Sequence, residues 1–380
     1  MSSEVGGPRV AIAHDYLTQR GGAERVVLAL TRAFPDAPVY TTLFDPASTF
    51  PEFSSVDVRT SGLNRLSVFR RDHRLALPVL ALAANSIRID ADVVIASSSG
   101  WAHGFRTSGA KVVYCYSPAR WLYQSDRYLG ESSGLARRVA LGALAPMLRS
   151  WDRRAAKSAD RYLAISTEVQ ARIQSTYALE STVVPAPHSM DPLGEQEPSV
   201  ELGVPADAAE FYLCLSRLLA YKNVDTTIEA IARDPRRRLI VVGSGPEEAR
   251  LKRDLPANVT LVKNLSEAQL RWLYARCRAV VSASHEDFGL TPLEGGAFGK
   301  PSVVLRWGGF LDTIQEGVTG EYFDDVTADS ITAALDRFES RTWDAGVIRD
   351  RAQQYSKTAF ADAIRQVVTA AARMPSGVAG

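Results

Sequence analysis

The 380-residue sequence has only three cysteines, too few and too far apart for a disulfide framework. Cys115, Cys214 and Cys277 each lie in an apolar stretch, and no two of them have the spacing of metal ligands. These positions predict buried, reduced thiols and therefore a cytoplasmic protein.

Long hydrophobic runs are also absent. The longest apolar stretches, such as residues 75–84, are much shorter than the roughly 20 residues that a transmembrane helix needs. The first residues carry no basic segment ahead of an apolar core, so we expect no signal peptide. The sequence thus predicts a protein that does not cross a bilayer.

The sequence as a whole lacks an excess of one charge sign. It has 44 Lys and Arg against 43 Asp and Glu, and this net charge of +1 argues against a dedicated nucleic-acid binder. Residues 1–195 carry 22 basic and 18 acidic residues, a net charge of +4, and the remainder carries 22 and 25, a net charge of −3. The basic residues of the first part form two groups: Arg65, Arg70, Arg71 and Arg74, and Arg137, Arg138, Arg149, Arg153, Arg154 and Lys157. They predict either a solvated helix face or a peripheral contact with anionic lipid of the inner membrane.

Four common catalytic motifs are missing as well. There is no H-E-x-x-H, no G-x-S-x-G, no P-loop ending in G-K-[ST], and no G-x-G-x-x-G after a strand. The sequence therefore lacks the motifs that define zinc hydrolases, serine hydrolases, P-loop nucleotidases and ordinary dehydrogenases.

What the sequence does contain is an alternation of short β-branched runs with helical patterns. The runs are continuously apolar, as in parallel strands covered on both faces. The predicted strands are 9–14, 38–42, 92–97, 111–116, 161–166, 181–186, 211–216, 238–243, 259–262, 279–284 and 302–306. The predicted helices include 23–33, 134–157, 167–177, 223–232, 246–252, 266–276 and 292–298.

A proline-rich segment divides this alternation into two series, which predicts an α/β protein of two Rossmann-like doubly wound domains facing a cleft. The predicted organisation is a first domain at 1–190, a linker at 191–200, a second domain at 201–355 and a helix with a frayed tail at 356–380.

Ligands of open α/β sheets bind at the carboxyl ends of strands, and the segment 284–298 follows such an end. Thr291 at N-cap, Pro292 at N1 and Glu294 at N3 fit a capping box, which would give Glu294 a purely structural role. Alternatively, Glu294 could accept the two hydroxyls of a ribose. The sequence leaves both roles open.

The loop ahead of the same helix offers further candidates. The amides of Phe288, Gly289 and Leu290 could bind a phosphate or the hydroxyls of a sugar. Glu286, eight residues before Glu294, could face that sugar or be a solvated loop acid.

Two cations follow the first strand of the second domain. Arg217 and Lys222 lie five residues apart and could together hold a diphosphate, or they could be ordinary surface charges. Gly243 and Gly245 follow the next strand and suit either close approach to a ligand or a tight turn.

The first domain repeats this placement of polar residues after strands. His14 and Asp15 end the first strand, and Gly21 and Gly22 precede a helix, where they admit a ligand or provide a positive φ. His103 and Arg120 follow two later strands and complete the candidates together with Tyr116. For a single histidine a structural role is the alternative.

These motifs, taken in order, resemble the retaining family-four glycosyltransferases of GT-B fold. In the second domain the resemblance rests on S-R-L-x-x-Y-K-N-x-D, V-V-G-x-G-P-E, E-D-F-G-L-T-P-L-E, G-K-P, G-G-F-L-D-T and G-x-T-G. In the first domain it rests on H-D-Y-L-T-Q-R-G-G-A-E, S-S-S-x-x-x-H-G and K-V-V-Y-C-Y-S-P-A-R. The pattern is most similar to bacterial mannosyltransferases that build surface polysaccharides from GDP-mannose.

The resemblance implies catalytic roles for Arg217 and Lys222 on the donor diphosphate and for Glu286 on the donor sugar. It implies that Glu294 binds the nucleotide ribose. The remaining implied donor contacts are Gly243, Gly245, Phe288, Gly289 and Leu290. No D-x-D motif follows a strand, so we expect no essential metal and no cofactor besides the nucleotide sugar.

The resemblance also implies that the first domain binds a saccharide or lipid-linked acceptor. The implied acceptor or phosphate residues are His14, Asp15, Gly21, Gly22, His103, Tyr116 and Arg120. Tyr116 stands where the family pattern usually has His, and His103 stands where it often has Lys. The acceptor or the donor sugar of this protein could therefore differ from that of the family. The final helix is expected to return to the first domain.

Three alternatives remain at this point. One is a UDP-sugar-dependent transferase of the same fold, and another is a non-catalytic binding subunit. The third, a sugar-nucleotide epimerase, is disfavoured by the two glutamates eight residues apart.

Overall fold

The computed structural model describes residues 7–124, 135–198 and 210–373. The chain forms two compact units, residues 1–186 with 360–380, and residues 187–359. The helix that starts at Lys357 therefore enters the first unit at Phe360. Within the described ranges, no helix is both long and apolar enough to cross a membrane.

The described residues of the first unit form nine strands. They are β1 (Val10–His14), β2 (Val39–Thr41), β3 (Val58–Thr60), β4 (Arg88–Ile89), β5 (Val93–Ser98), β6 (Arg106–Thr107), β7 (Ala110–Cys115), β8 (Arg161–Ala164) and β9 (Thr182–Val183). Seven of them form a parallel sheet in the order β3-β2-β1-β5-β7-β8-β9, and β4 pairs with β6. The central strands β1, β5 and β7 are almost wholly buried, which explains their continuously apolar sequences.

In the part of the second unit that the structure describes, six strands form one parallel sheet. They are β10 (Tyr212–Leu215), β11 (Leu239–Val242), β12 (Val259–Val262), β13 (Ala279–Ser282), β14 (Ser302–Leu305) and β15 (Gly320–Phe323). The order is β12-β11-β10-β13-β14-β15. Two hydrophobic clusters cover the two faces of this sheet. One includes Tyr212 and Val281, and the other includes Leu213 and Val280. Neighbouring residues of one strand thus belong to different clusters, because successive side chains point to opposite faces.

Most α-helices of the described residues lie between strands in the sequence, and the last three follow the final strand. They are α1 (Gly22–Ala33), α2 (Ser67–Arg71), α3 (Leu77–Ser86), α4 (Arg120–Tyr123), α5 (Leu135–Lys157), α6 (Thr167–Tyr177), α7 (Val224–Ala232), α8 (Glu248–Arg253), α9 (Glu267–Arg276), α10 (Leu290–Ala297), α11 (Phe310–Thr313), α12 (Ala328–Glu339), α13 (Ala345–Gln353) and α14 (Lys357–Ala372). The prediction of two doubly wound α/β domains is confirmed.

The predicted elements differ from the observed ones in a few places. No strand is predicted at β15, where Gly320 and Glu321 interrupt the apolar run. The strand predicted at 181–186 pairs only over Thr182–Val183. Residue 134 of the predicted long helix, residues 199–200 of the predicted linker and residues 374–380 of the predicted tail lie outside the described residues.

Candidate functional site

The strand order of the second sheet reverses between β10 and β13. In doubly wound sheets such a reversal opens a crevice at the carboxyl ends of the two strands, and ligands bind there. The loop after β10 runs from Ser216 to Asn223, and the loop after β13 runs from Ala283 to Gly289. The amide of Asn223 donates to the carbonyl of Ala283 at 2.9 Å and ties the two loops together.

Lys222 and Glu286 meet at this point. The Lys222 side chain is 9% exposed, and its ammonium donates to Glu286 Oε1. Ser284 Oγ donates to the same carboxylate oxygen at 2.8 Å. The ring of Tyr221 covers the ammonium, with its centroid 5.0 Å from Nζ. A buried cation beside a 29% exposed carboxylate can exchange that partner for another anion without becoming unpaired.

Arg217 lies apart from this pair. Its side chain is exposed, and a guanidinium nitrogen lies 3.3 Å from Tyr221 Oη, so Tyr221 connects the two cations indirectly. The structure thus places both predicted cations on one loop but buries only Lys222.

Gly243 and Gly245 have a packing role. A Cβ atom on Gly243 would overlap the carbonyl oxygen of Ser216, and one on Gly245 would overlap that of Leu218. Leu218 N also donates to Ser244 O at 2.9 Å. The two glycines therefore bring their turn against the loop that carries Arg217.

The start of α10 corrects the predicted capping box. The N-cap is Gly289, with φ of 85°, and no side chain caps the helix. Thr291 and Pro292 consequently occupy the second and third helical positions, and Glu294 lies beyond the first turn. The helix begins early because Gly289 adopts the left-handed conformation against Phe310, whose Cε1 would lie 2.5 Å from an added Cβ.

Glu294 is buried and accepts two hydroxyl donors. Ser189 Oγ lies 3.1 Å from Oε1, and Tyr274 Oη lies 2.7 Å from Oε2. Neither partner belongs to the motif that singled out Glu294, so motif spacing could not have found them. The ring of Phe288 is buried 6.1 Å from that of Tyr355, and Leu290 is half-buried at the start of α10.

In the first unit, His14 belongs to a buried hydrogen-bonded network. It lies between β1 and β5, where the order of the strands in the sheet reverses. Its Nδ1 lies 2.9 Å from Ser97 Oγ, and Tyr116 Oη lies 2.9 Å from the same hydroxyl. His14 Nε2 lies 3.9 Å from Glu24 Oε1. Burial by itself would lower the pKa of His14, but the Glu24 and Asp15 carboxylates and the hydrogen bond with Ser97 together outweigh it, and the pKa is raised. Tyr116 also donates to the carbonyl of Ala23 at 3.1 Å.

Glu24 is a residue that the sequence reasoning missed. It is 1% exposed and lies in the first turn of α1, whose N-cap is Gly21. Gly21 has an extended φ of −132°, so the predicted need for a positive φ is wrong. An added Cβ would lie 2.6 Å from Glu24 Oε2, so Gly21 leaves room for this carboxylate at the helix start. The signal was available, since an acidic residue in the first turn of a helix after two glycines is favoured by the helix dipole. Gly22 is the first residue of α1.

Asp15 and His103 organise the loop after β5. Asp15 accepts backbone N–H groups from Ser99 at 2.6 Å, Trp101 at 3.0 Å and Ala102 at 2.6 Å. His103 is 2% exposed, and its Nε2 lies 3.0 Å from Oδ1 of the buried Asp152. Asp15 and His103 are thus buried within the unit and engaged there.

Arg120 is the first residue of α4 and is half-buried. No group of three or more His, Cys, Asp or Glu within the described ranges is arranged to hold a metal ion. Cys115, Cys214 and Cys277 are buried free thiols, and burial raises the pKa of both Cys214 and Cys277 to about 12.

Two family models match successive parts of the chain. The model "Glycosyltransferase Family 4" matches residues 20–191, and "Glycosyl transferases group 1" matches residues 203–362. Glycogen synthase of Pseudomonas syringae pv. syringae is 32% identical over 140 residues, which are 35% of this chain and 29% of that enzyme. The chain thus spans less than a third of the glycogen synthases that it matches. Alpha-1,3/1,6-mannosyltransferase ALG2 of Dictyostelium discoideum is 23% identical over 366 residues, 82% of this chain and 85% of that protein.

Solved structures match the whole fold. HepE of Anabaena in complex with UDP-glucose has a TM-score of 0.67 at 17% identity and covers 95% of this chain and 100% of its own. Sucrose-phosphate synthase of Thermosynechococcus elongatus has a TM-score of 0.66 at 19% identity and covers 94% and 98%. The fold is GT-B. Together the family models and relatives support a glycosyltransferase.

Proposed function

We propose that the protein is a retaining glycosyltransferase that moves mannose from GDP-mannose to a saccharide or lipid-linked saccharide acceptor. The observation that carries the proposal is the buried Lys222 ammonium at the strand reversal, paired with the motif carboxylate Glu286. The buried, free cysteines support a cytoplasmic location for the reaction.

Cleavage of a sugar–diphosphate bond builds negative charge on the leaving phosphate. A cation already held in a partly water-excluded site stabilises that charge without reorganising in the transition state. Lys222 takes this role in the proposal, and the exposed Arg217 adds a second, outer cation. Removing one such donor in other enzymes costs about 10²–10³-fold in turnover, which sets the expected scale.

The two carboxylates take the hydroxyl groups of the donor in this proposal. On binding, Lys222 exchanges Glu286 for the diphosphate, and Glu286 is released to accept hydroxyls of the sugar. Glu294 is proposed to accept the ribose hydroxyls. Its two present partners, Ser189 and Tyr274, are themselves hydroxyl donors, so the carboxylate already accepts hydrogen bonds from two hydroxyl groups.

The choice of donor draws on the relatives. The Dictyostelium relative is named a mannosyltransferase, which favours mannose. HepE is bound to UDP-glucose, which favours the second candidate, a UDP-sugar-dependent transferase of the same fold. We further propose transfer without a metal, since Lys222 and Arg217 supply the positive charge. Activity unchanged in excess EDTA is the expected result.

The deciding experiment measures donor hydrolysis and transfer with GDP-mannose, UDP-glucose and UDP-N-acetylglucosamine. We expect turnover with GDP-mannose, and we expect Lys222→Ala to lower it about 10²-fold or more while the circular dichroism spectrum is unchanged. Lys252→Ala is the matched control, because Lys252 also pairs with a glutamate, Glu248, at 2.9 Å but on α8. Binding or turnover of none of the three donors would refute the enzyme, and full activity of Lys222→Ala would refute the phosphate assignment. Turnover with a UDP-sugar alone would replace the proposal by its second candidate.

A further inference from the structure

One face of α5 carries four basic residues. Pro146, Arg149, Ser150, Arg153, Arg154 and Lys157 border a shallow groove along the helix. Their spacing of three and four residues puts them on one side of the helix. Leu148, Asp152 and Ala156 are buried on the other side. We call Arg149, Arg153, Arg154 and Lys157 the basic face.

The basic face has few internal partners. Arg149 donates to the carbonyl of Leu122 at 3.0 Å. No carboxylate among the described residues lies within ion-pair distance of Arg153, Arg154 or Lys157, although all three are exposed. Like charges four residues apart, such as Arg149 with Arg153, destabilise a helix. The arrangement therefore weakens α5 unless something outside the protein neutralises it.

Several arginines of the second unit, one of them buried, pair with carboxylates. Arg237 pairs with Asp336 and Glu339, Arg250 with Asp225 and Glu247, and Arg306 with Glu316 and Asp324. These arginines are paired with carboxylates, whereas no carboxylate among the described residues pairs with Arg153, Arg154 or Lys157.

Two exposed large apolar side chains of the first unit lie on α5 itself and on α3. Met147 on α5 is 58% exposed, and Leu82 on α3 is 70% exposed. Among the described residues, every other strongly exposed large hydrophobic side chain of the first unit lies between 66 and 75: Leu66, Val68 and Leu75. Exposed apolar side chains together with Lys and Arg are the combination found on surfaces that lie at a membrane interface.

One contact joins the two helices that carry Met147 and Leu82. Trp151 Nε1 on α5 donates to Asn85 Oδ1 on α3 at 3.1 Å. Met147 precedes Trp151 by four residues and Leu82 precedes Asn85 by three, so each lies one helical turn from this contact. Cations and exposed apolar side chains therefore occur on neighbouring helices of the first unit. The side chains of Arg74, Arg137 and Arg138, which belong to the predicted basic groups, lie outside the described part of the structure.

We propose that this surface docks the first unit on an anionic lipid bilayer. The basic face contacts the negatively charged headgroups, and Met147 and Leu82 enter the boundary between headgroups and acyl chains. A soluble polyanion would neutralise the arginines but would leave the apolar side chains in water, so the combination favours a lipid surface. The proposal goes beyond glycosyl transfer and does not depend on it.

The test is co-sedimentation of the full chain with vesicles of phosphatidylcholine, with and without phosphatidylglycerol. We expect binding only to the anionic vesicles at low ionic strength. Binding should fall as salt is raised from about 0.1 M to 1 M, because the Debye length shortens from about 10 Å to about 3 Å. Equal binding to both kinds of vesicle, or binding to neither, overturns the proposal.

Two pairs of charge reversals locate the surface. Arg153→Glu with Arg154→Glu should weaken binding to anionic vesicles at least about tenfold, since each cation near the surface contributes appreciably. Arg238→Glu with Arg253→Glu is the matched control, because these two arginines of the second unit are also exposed and the change in charge is the same. An equal loss in both variants overturns the assignment to α5.

The apolar contribution is tested by Leu82→Ser with Met147→Ser. This variant should bind anionic vesicles more weakly than the wild type at high salt, where the electrostatic attraction is screened. Unchanged binding at high salt would contradict the proposed insertion of the two side chains. Circular dichroism checks that each variant is folded. Hydrolysis of the sugar donor in solution, without vesicles, should be the same in all variants, so a failed docking surface is distinguishable from a failed enzyme.

Discussion

Glu286 and Glu294 are eight residues apart in one motif, yet their surroundings differ. Glu286 is partly exposed and bonds a cation and a hydroxyl, whereas Glu294 is buried and bonds two hydroxyls. The motif predicts that both matter, but Ser189 lies 105 residues from Glu294 in sequence. Partners at such distances follow from the packing of the whole unit, and no local pattern contains them.

The pair of His14 and Glu24 predicts a specific dependence of stability on pH. Because the pKa of His14 is raised in the folded state, its contribution is fully present below about pH 6.5, the unfolded value, and is lost as pH rises through the folded pKa. Each unit of pKa difference corresponds to about 1.4 kcal/mol. Urea unfolding of the wild type and His14→Gln between pH 5.5 and 9 should show their stability difference shrinking as pH rises.

Glu24→Gln is the control for that experiment. It removes the carboxylate that contributes most to raising the pKa of His14, so the loss of stability at rising pH should become smaller. If the wild type and Glu24→Gln show the same pH profile, the pair does not stabilise the fold in the way described.

At the scale of elements, the ends of strands and helices decide where side chains point. The apolar runs predict the interior strands well, because strands buried on both faces admit few polar residues. Two-residue strands such as β4 and β6 are too short to leave a pattern. Helix α12 is absent from the predicted elements although Ala328, Ile331, Leu335 and Phe338 have helical spacing, so this signal was available.

Two glycine-to-alanine substitutions, one at the start of a helix and one inside a helix, test why glycine occurs at these positions. Gly289→Ala should lower the free energy of unfolding by about 1–3 kcal/mol, because alanine is strained at a positive φ and its Cβ would meet Phe310. Gly142→Ala should raise it by about 0.5–1 kcal/mol, because Gly142 is exposed inside α5 with nothing near an added Cβ.

Both effects are measured by urea unfolding at one pH. Opposite signs for the same chemical change are the distinguishing result. A stabilising Gly289→Ala would contradict the assignment of the α10 start to a left-handed glycine.

At the scale of the whole molecule, the first unit is not one continuous segment of the sequence. Residues 187–359 form the second unit without interruption, but the first unit is completed by residues from Phe360 onward. Phe360, Ile364, Val368 and Ala371 are buried, and the ring of Phe360 lies 5.6 Å from that of Tyr114 on β7. The domain boundaries at 190 and 355 remain predictions, since chain composition marks linkers more clearly than it marks membership in a core.

Ile364→Ala should therefore destabilise the first unit, although it lies at the end of the chain. A buried isoleucine truncated to alanine costs about 2–5 kcal/mol. Hydrogen exchange should accelerate in β1, β5 and β7 and remain unchanged in β10 to β15. The exposed Gln366 offers a matched control, Gln366→Ala, which should change neither unit. Faster exchange in the second unit would contradict the division described above.

The return of the last helix also fixes an order of events during synthesis. When the ribosome has made residue 359, every residue of the second unit exists, but the first unit still lacks four of its core side chains. The part of the protein made first is consequently the part that can finish folding last. Until then the nascent first unit exposes the apolar groove that α14 will fill, and this interval is when the chain most needs protection from aggregation.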